Sequence, residues 1–261
     1  MHEEVAHEAA ESGIAIHLAP EVVGHIFGVP ITNTLITIWV VMALTALGAW
    51  LLRRKLTLIP GKFQVLMELL IGGVYDYMTD VLEDSALARR FFPIVMTIFI
   101  FILAANWFGL LPGVTSIGFY EVHDGARTLV PLLYPATTDL NVTLALALIA
   151  FFTIEIAGVM MLGFLKYAGK FVNFKSPLSF AIGIIELFSE IARLVSFSFR
   201  LFGNIFAGKT LIVIALFFVP YFVPVPLLAF ELFVGFIQAF IFAVLTLFFI
   251  KLAITDAHEA H

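Results

Sequence analysis

Between Ala181 and Lys209 an apolar stretch of the chain carries five ionisable residues: Glu186, Glu190, Arg193, Arg200 and Lys209. Steps of three or four residues join positions 186, 190, 193, 197, 200 and 204. Residues so spaced share a helix face, so Glu186, Glu190, Arg193, Arg200 and Asn204 form one polar stripe, interrupted only by Phe197. Glu190 and Arg193 are spaced to pair. Arg200 has no carboxylate within a turn of its own helix, and a guanidinium does not give up its charge. In an apolar medium it must face water or a carboxylate supplied by another chain. Such a stripe reads as a polar path through an apolar layer, with Arg200 left unpaired on it.

A second polar set lies further on. Glu231 and Gln238 are seven residues apart and share a face. If the helices holding Arg200 and Gln238 run antiparallel, residues at one level have position numbers with a constant sum. Arg200 with Gln238 gives 438 and Lys209 with Glu231 gives 440, which centres the turn on Pro220. One register thus brings both polar pairs level. Lys209, nine residues beyond Arg200, lies about half a turn round the helix and lines a different surface. Gly203 and Ala207 form a small-xxx-small ridge that suits either packing within the chain or the approach of another chain's helix. Glu155, alone in a third apolar stretch, has two open readings: a functional carboxylate or a locally hydrogen-bonded structural one.

The elements that must hold these residues follow from bulk composition. Of 261 residues 62% are hydrophobic and 13% charged, against about 45–50% apolar and about 25% charged in soluble domains. Lipid must solvate much of this chain. The pattern predicts spans at Leu35–Leu52, Phe91–Leu111 and Leu140–Leu165, and an amphipathic interfacial helix at Lys62–Leu82. Lys166 to Lys175 reads as a connecting loop. From Pro177 to Pro220 run 42 intervening residues without a proline; as one helix they would reach about 63 Å, twice the ~30 Å hydrocarbon core. With the segment from Pro226 to Leu252 they make a long tilted hairpin joined at Pro220–Pro226. The fold class expected is therefore all-α and integral to the membrane, with about five embedded helices and one interfacial helix. The expected organisation is a single domain, 1–261: an external acidic N-terminus (1–32), outer helices and loops (33–175), then the hairpin and tail (176–261).

Ten of the fourteen Lys and Arg residues fall in loops or ends on one side, from Arg53 to Lys251, whereas Arg127 alone lies in the opposite loop. The positive-inside bias places the N-terminus outside and the C-terminus in the cytoplasm. Without cysteine the chain has no disulfide or thiolate chemistry. His2, His7, His17, His25, His258 and His261 cluster toward the termini without repeated ligand spacing, and read as solvated ends. The acidic N-terminus lacks the basic start of a cleavable signal. No Gly-rich phosphate loop ending in Lys-Ser/Thr is present, so nucleotide chemistry belongs elsewhere. The halves of the chain differ in segment length and charge, which speaks against an inverted-repeat transporter binding an anion at Arg200. The other rival is a structural scaffold whose charges are packing pairs.

The run Ser198-Phe199-Arg200-Leu201-Phe202-Gly203-Asn204-Ile205-Phe206-Ala207-Gly208, with Ile237-Gln238-Ala239-Phe240-Ile241-Phe242 and Leu245-Thr246, resembles subunit a of bacterial F-type ATP synthases. Asn106-Trp107-Phe108-Gly109-Leu110-Leu111-Pro112 and Thr138-Asp139-Leu140-Asn141-Val142-Thr143-Leu144 extend the resemblance, which covers the chain from about residue 90 onward. The resemblance implies a stator whose last two helices lie against a rotating ring of c subunits, each with one intramembrane carboxylate. Arg200 takes the place of the essential arginine, Asn204 and Gln238 of neighbouring polar positions, Glu186 of a carboxylate on the cytoplasmic side, and Glu231 of a His or Glu in the outer half-channel. Asn106, Asp139 and Asn141 match polar positions of the earlier blocks. The proton path so expected comprises Glu231, Lys209, Gln238, Asn204, Glu186, Glu190, Asn106, Asp139, Asn141 and Glu155. Asn106 and Glu155 are expected beside the Lys209–Glu231 pair on the outer side. Lys209 departs from the family's usual His or Glu, and a lysine holds its proton too firmly for an easy relay; its expected part is to neutralise Glu231. The implied partners are the c-subunit ring, the peripheral stalk b subunits, the remaining F1Fo complex and membrane lipid, with no nucleic acid, cofactor or metal. The implied location is the bacterial cytoplasmic (inner) membrane.

Overall fold

The computed structural model describes residues 20–54, 56–57, 60–123, 126–171, 176–220 and 222–255. The acidic N-terminal residues before Pro20 and all the terminal histidines except His25 lie outside them. An antiparallel hairpin, β1 (Val22–Ile26) and β2 (Val29–Thr32), leads directly into α1 (Asn33–Arg54). After Pro60-Gly61 come α2 (Lys62–Leu82) and α3 (Ser85–Gly109). A second hairpin, β3 (Gly118–His123) and β4 (Ala126–Pro131), precedes α4 (Leu140–Leu162) and the short α5 (Phe164–Phe171). The chain closes with α6 (Pro177–Phe218) and α7 (Pro224–Thr255).

Among the described residues five helices, α1, α3, α4, α6 and α7, are long and apolar enough to cross a membrane. α2 is not one of them, as its mixed sequence foretold. It lays Met78 and Leu82 against the bundle and leaves Phe63, Leu66 and Leu69 exposed. Apolar side chains on the outer surface, among them Trp39, Leu47, Phe152 and Ile156, are what a helix in lipid presents. The membrane body is all-helical as expected, and the long C-terminal pair is a helical hairpin turning just after Val219.

Three local expectations need correction. The loops hold two β-hairpins, because short Val-, Ile- and Tyr-containing runs satisfy their backbone groups by pairing. The stretch from Lys166 is not all loop: Gly163, at φ +80°, ends α4 and lets the chain reverse into α5. Finally α3 begins before Phe91, because the Asp84 side chain accepts hydrogen bonds from the Ala86 and Leu87 amides. Pro93 falls in its early turns without breaking it.

Two ends of the bundle are defined by side-chain ties. At the hairpin end, the Asp139 carboxylate caps α4 by accepting from the Asn141 amide at 2.9 Å, and also accepts from Thr34 Oγ1 at 2.7 Å. Asn33 Nδ2 donates to the Pro131 carbonyl, and the Tyr134 amide donates to Thr37 Oγ1. At the other, basic end, Lys251 pairs with Glu83 at 2.9 Å and Arg90 reaches Met160. Between them a continuous core of Ile102, Ala147, Ile154, Leu201, Ala239 and Leu247 joins α3, α4, α6 and α7.

Asp139 thus couples a helix cap to an interhelical bond. Asp139→Ala is expected to cost about 1–3 kcal/mol, the sum of a lost cap and a buried hydroxyl left without its acceptor. Asp139→Asn should recover most of it. Thermal unfolding of the detergent-solubilised protein measures both.

Candidate functional site

The site is organised by the register of α6 against α7. The rings of Phe197 and Phe242 lie 4.8 Å apart between centroids. A side chain at Gly208 would collide with the Glu231 carboxylate, so Glu231 is seated on the bare backbone of α6 there. Both pairs have numbers summing to 439, within the range expected from the polar pairs, so Arg200 and the buried Gln238 are at one level.

Round the axis of α6, the buried residues Glu190, Phe197, Leu201, Ile205, Gly208 and Ile212 cluster in one direction. At about 100° per residue, Arg200 lies roughly a quarter-turn from it, at the edge of the packed face. Around and beyond Arg200 the surface is uncovered: Ser196, Phe199, Asn204 and Ala207 are exposed, and a Cβ at Gly203 would meet nothing within 4 Å. The small-residue ridge therefore does not serve packing within this chain. Arg200 Nη2 donates to Ser196 Oγ at 3.2 Å, while Nη1 is buried without a hydrogen-bond partner. No described carboxylate forms an ion pair with it.

Toward the hairpin end, Glu231 is only 4% exposed. Asn106 on α3 lies about one turn along α7; its Nδ2 donates to the Gly235 carbonyl at 3.0 Å and its Oδ1 is buried without a partner. Trp107 Nε1 donates to the Leu232 carbonyl, which fixes α3 against the same stretch. The expected Lys209–Glu231 ion pair does not form. Glu231 points at Gly208, and Lys209, one residue on, is turned by about 100°. The Lys209 ammonium instead lies over the Tyr134 ring, 3.1 Å from its centroid, buried and without a hydrogen-bond partner. Burial, and secondarily the Glu21 carboxylate, raise the Tyr134 phenol above its ordinary range, so the ring stays neutral. Its π face attracts the cation. Asp139, engaged as cap and tie, and Asn141, exposed, are not brought together with Glu231 and Asn106 by any described contact.

At the basic end the polar stripe resolves into pairs. Glu190, 3% exposed, accepts from Arg193, whose guanidinium also lies over the Phe249 ring at 4.0 Å. Lys170 on α5 pairs with Glu186 at 2.7 Å. Phe197, the gap in the stripe, packs on Phe242 and Phe249 and seals the space between Arg193 and Arg200. Glu155 belongs to this end, contrary to its expected place beside Asn106 and Glu231. Its Oε2 accepts from Tyr167 Oη at 2.9 Å, and it lies within electrostatic range of Glu190. Along α6, Glu190 and Gly208 are about 27 Å apart, which separates this cluster from the Glu231 seat.

Four contributors were not singled out in the sequence for these roles: Ser196, Tyr134, Tyr167 and Gly208 as the seat of Glu231. Ser196 had a signal, being one turn from Arg200 on the same face. Tyr134 and Tyr167 lie in an irregular segment and a short helix, where no periodicity aims a ring.

Five apolar helices enclosing buried carboxylates, an amide and cations define a polytopic membrane protein built to hold charge inside the bilayer. The family model for the ATP synthase A chain matches residues 35–251. Among similar proteins, ATP synthase subunit a of Moorella thermoacetica is 31% identical over 234 residues, 90% of this chain and 96% of that one. ATP synthase subunit a 2 of a Bradyrhizobium species is 35% identical over 230 residues, covering 88% and 92%. ATP synthase subunit a of Legionella pneumophila is 32% identical over 250 residues, covering 95% and 96%. The chain belongs to the ATP synthase A chain family.

Because Lys209 and Glu231 occupy separate seats, their substitutions should act independently. A double-mutant cycle of Lys209→Gln and Glu231→Gln, read as stability of the solubilised protein, is expected to show coupling below about 0.5 kcal/mol. Coupling of about 1 kcal/mol or more would establish the ion pair.

Proposed function

We propose that this chain is the proton-conducting stator of the membrane sector of a rotary ATP synthase, with Arg200 as its working residue. The observation that carries the proposal is the unpartnered, buried Nη1 of Arg200 beside an uncovered ridge of Gly203 and Ala207. A charge of that kind needs an anion, and the ridge admits a closely approaching helix. The anion is an intramembrane carboxylate on a ring of c subunits. The remaining partners are the peripheral stalk b subunits and the rest of the F1Fo complex, in the bacterial cytoplasmic membrane. The basic end faces the cytoplasm, and the N-terminus lies outside.

In this reading protons enter from the hairpin end past Glu231, Asn106, Lys209, Gln238 and Asn204, and are taken up by a ring carboxylate. After nearly a full turn they leave at the basic end past Glu190 and Glu186. Arg200 stands between the two paths. It stabilises each ring carboxylate while that group is deprotonated, and its fixed charge repels a proton that would cross directly. Ser196 and Gln238 moderate the attraction; too tight an ion pair would hold the ring still. Each charge crossing the membrane contributes about 2.3 kcal/mol per 100 mV, so several must be combined for one ATP. Catalysis of ATP formation resides in other subunits.

Arg200→Ala is expected to reduce proton-driven ATP synthesis by at least about 10²-fold, with the complex still assembled. Synthesis by inverted membrane vesicles, normalised to complex abundance, measures it. Normal coupled synthesis in that variant would refute the proposal, and loss of the complex without uncoupling would point to a scaffold.

A further inference from the structure

Glu155 is half-buried and forms no ion pair among the described residues. It is the sole ionisable residue of α4, about 10 Å before that helix ends. Its Oε2 accepts from Tyr167, but its Oε1 is buried with no hydrogen-bond partner. An acceptor oxygen left in this way costs free energy unless a proton or donor reaches it.

The surroundings are built rather than collapsed onto it. Tyr167 is 5% exposed and meets Phe171 edge-on. One turn beyond Glu155, α4 carries Gly158, where a Cβ would run into the Tyr167 ring. The helix is notched to admit the phenol that addresses Glu155. Burial, then its bond to Glu155, raises the Tyr167 phenol above its ordinary range, so Tyr167 acts as a neutral hydrogen-bond donor.

The charges around this point can be counted. α6 contributes Glu186, Glu190 and Arg193, α5 contributes Lys170, and α4 contributes Glu155. Lys170 is engaged by Glu186 and Arg193 by Glu190. Of the nearby basic groups on other helices, Lys251 of α7 is held by Glu83, and Arg90 of α3 reaches Met160 at the end of α4. Lys166, also on α5, is exposed and forms no described ion pair, so of these three carboxylates Glu155 alone is left unpaired and can take up a proton.

We infer that Glu155, addressed by Tyr167 and placed beside Glu190, is a proton-binding station on the inner exit path. The inference rests on the stator reading above and adds a residue and a branch to it. A proton released by a ring carboxylate passes Glu190, binds at Glu155 Oε1 as an O–H bond, and is given up to water at the basic end. The carboxylate that remains is ready for the next proton. Tyr167 is a positioning residue: its hydroxyl holds Oε2 so that Oε1 stays turned to the path.

The test uses the assembled complex in inverted vesicles, with Arg200→Ala as reference. Glu155→Gln keeps the shape and the acceptor for Tyr167 but cannot bind the proton. It is expected to lower ATP-driven proton pumping by about tenfold, less than the 10²–10⁴ of a sole acid–base group because Glu186 and Glu190 remain. Tyr167→Phe should give a smaller loss and move the protonated-carboxyl band that Glu155→Gln removes from the pH-difference infrared spectrum. Should Glu155→Gln fail to assemble, Tyr167→Phe carries the test, and an unmoved infrared band overturns the inference. Unchanged pumping and an unchanged infrared spectrum in Glu155→Gln overturn it too. If the inference fails while Arg200→Ala uncouples as expected, the stator reading stands; if Arg200→Ala stays coupled, that reading itself has failed.

Discussion

A guanidinium cannot shed its charge, and an apolar layer offers that charge nothing to interact with except what the protein brings there. Around Arg200 the protein brings little: one serine hydroxyl, and at the same level a buried glutamine on the facing helix. The described carboxylates of α6 and α7 that could satisfy Arg200 from within are engaged elsewhere. Glu190 is held by Arg193, Glu186 by Lys170, and Glu231 is seated on Gly208. The internal ion pairs thus have a second effect besides local stability. They leave the Arg200 cation without an ion pair among the described residues, at the edge of an open face.

That arrangement depends on how α6 and α7 meet. The contact of Phe197 with Phe242 and the seat of Glu231 on Gly208 sit eleven residues apart on α6 and obey the same register. Slippage by one turn would bury Arg200 or expel Glu231 into lipid, and both outcomes are costly. Polar pairing and ring packing therefore select one alignment together. Asn106 and Trp107, hydrogen-bonded to the backbone of α7 at Gly235 and Leu232, extend that alignment to a third helix.

Much of this was legible in the chain because membrane helices write their requirements in long runs. The spans, the proline turn and the stripe from Glu186 to Asn204 all rest on periodicity and on the cost of isolated charge. The register was legible because both polar pairs had to be level. The partner of Lys209 was not, because level does not mean facing: a single residue step turns a side chain by about 100°, and Tyr134 lies in a segment with no pattern to announce it. Glu155 misled for a related reason. Its span was correct, but its partner came from α5, an eight-residue helix that reads as a loop. The β-hairpins were missed likewise, since their few residues lie between spans whose signal dominates.

The unbroken length of α6 has a geometric consequence. A straight rod of 42 residues, about 63 Å long, fits a layer of about 30 Å only when inclined by roughly 60°. Such a helix is a ramp. The ~27 Å of helix between Glu190 and Gly208 descends only about 13 Å but runs about 24 Å sideways. Two water-accessible openings placed at those points are offset mainly along the circumference of whatever turns beside them. On the proposed stator reading, a proton obliged to go from one to the other would have to be carried round, and the slope of one helix would turn a voltage across the membrane into torque within its plane.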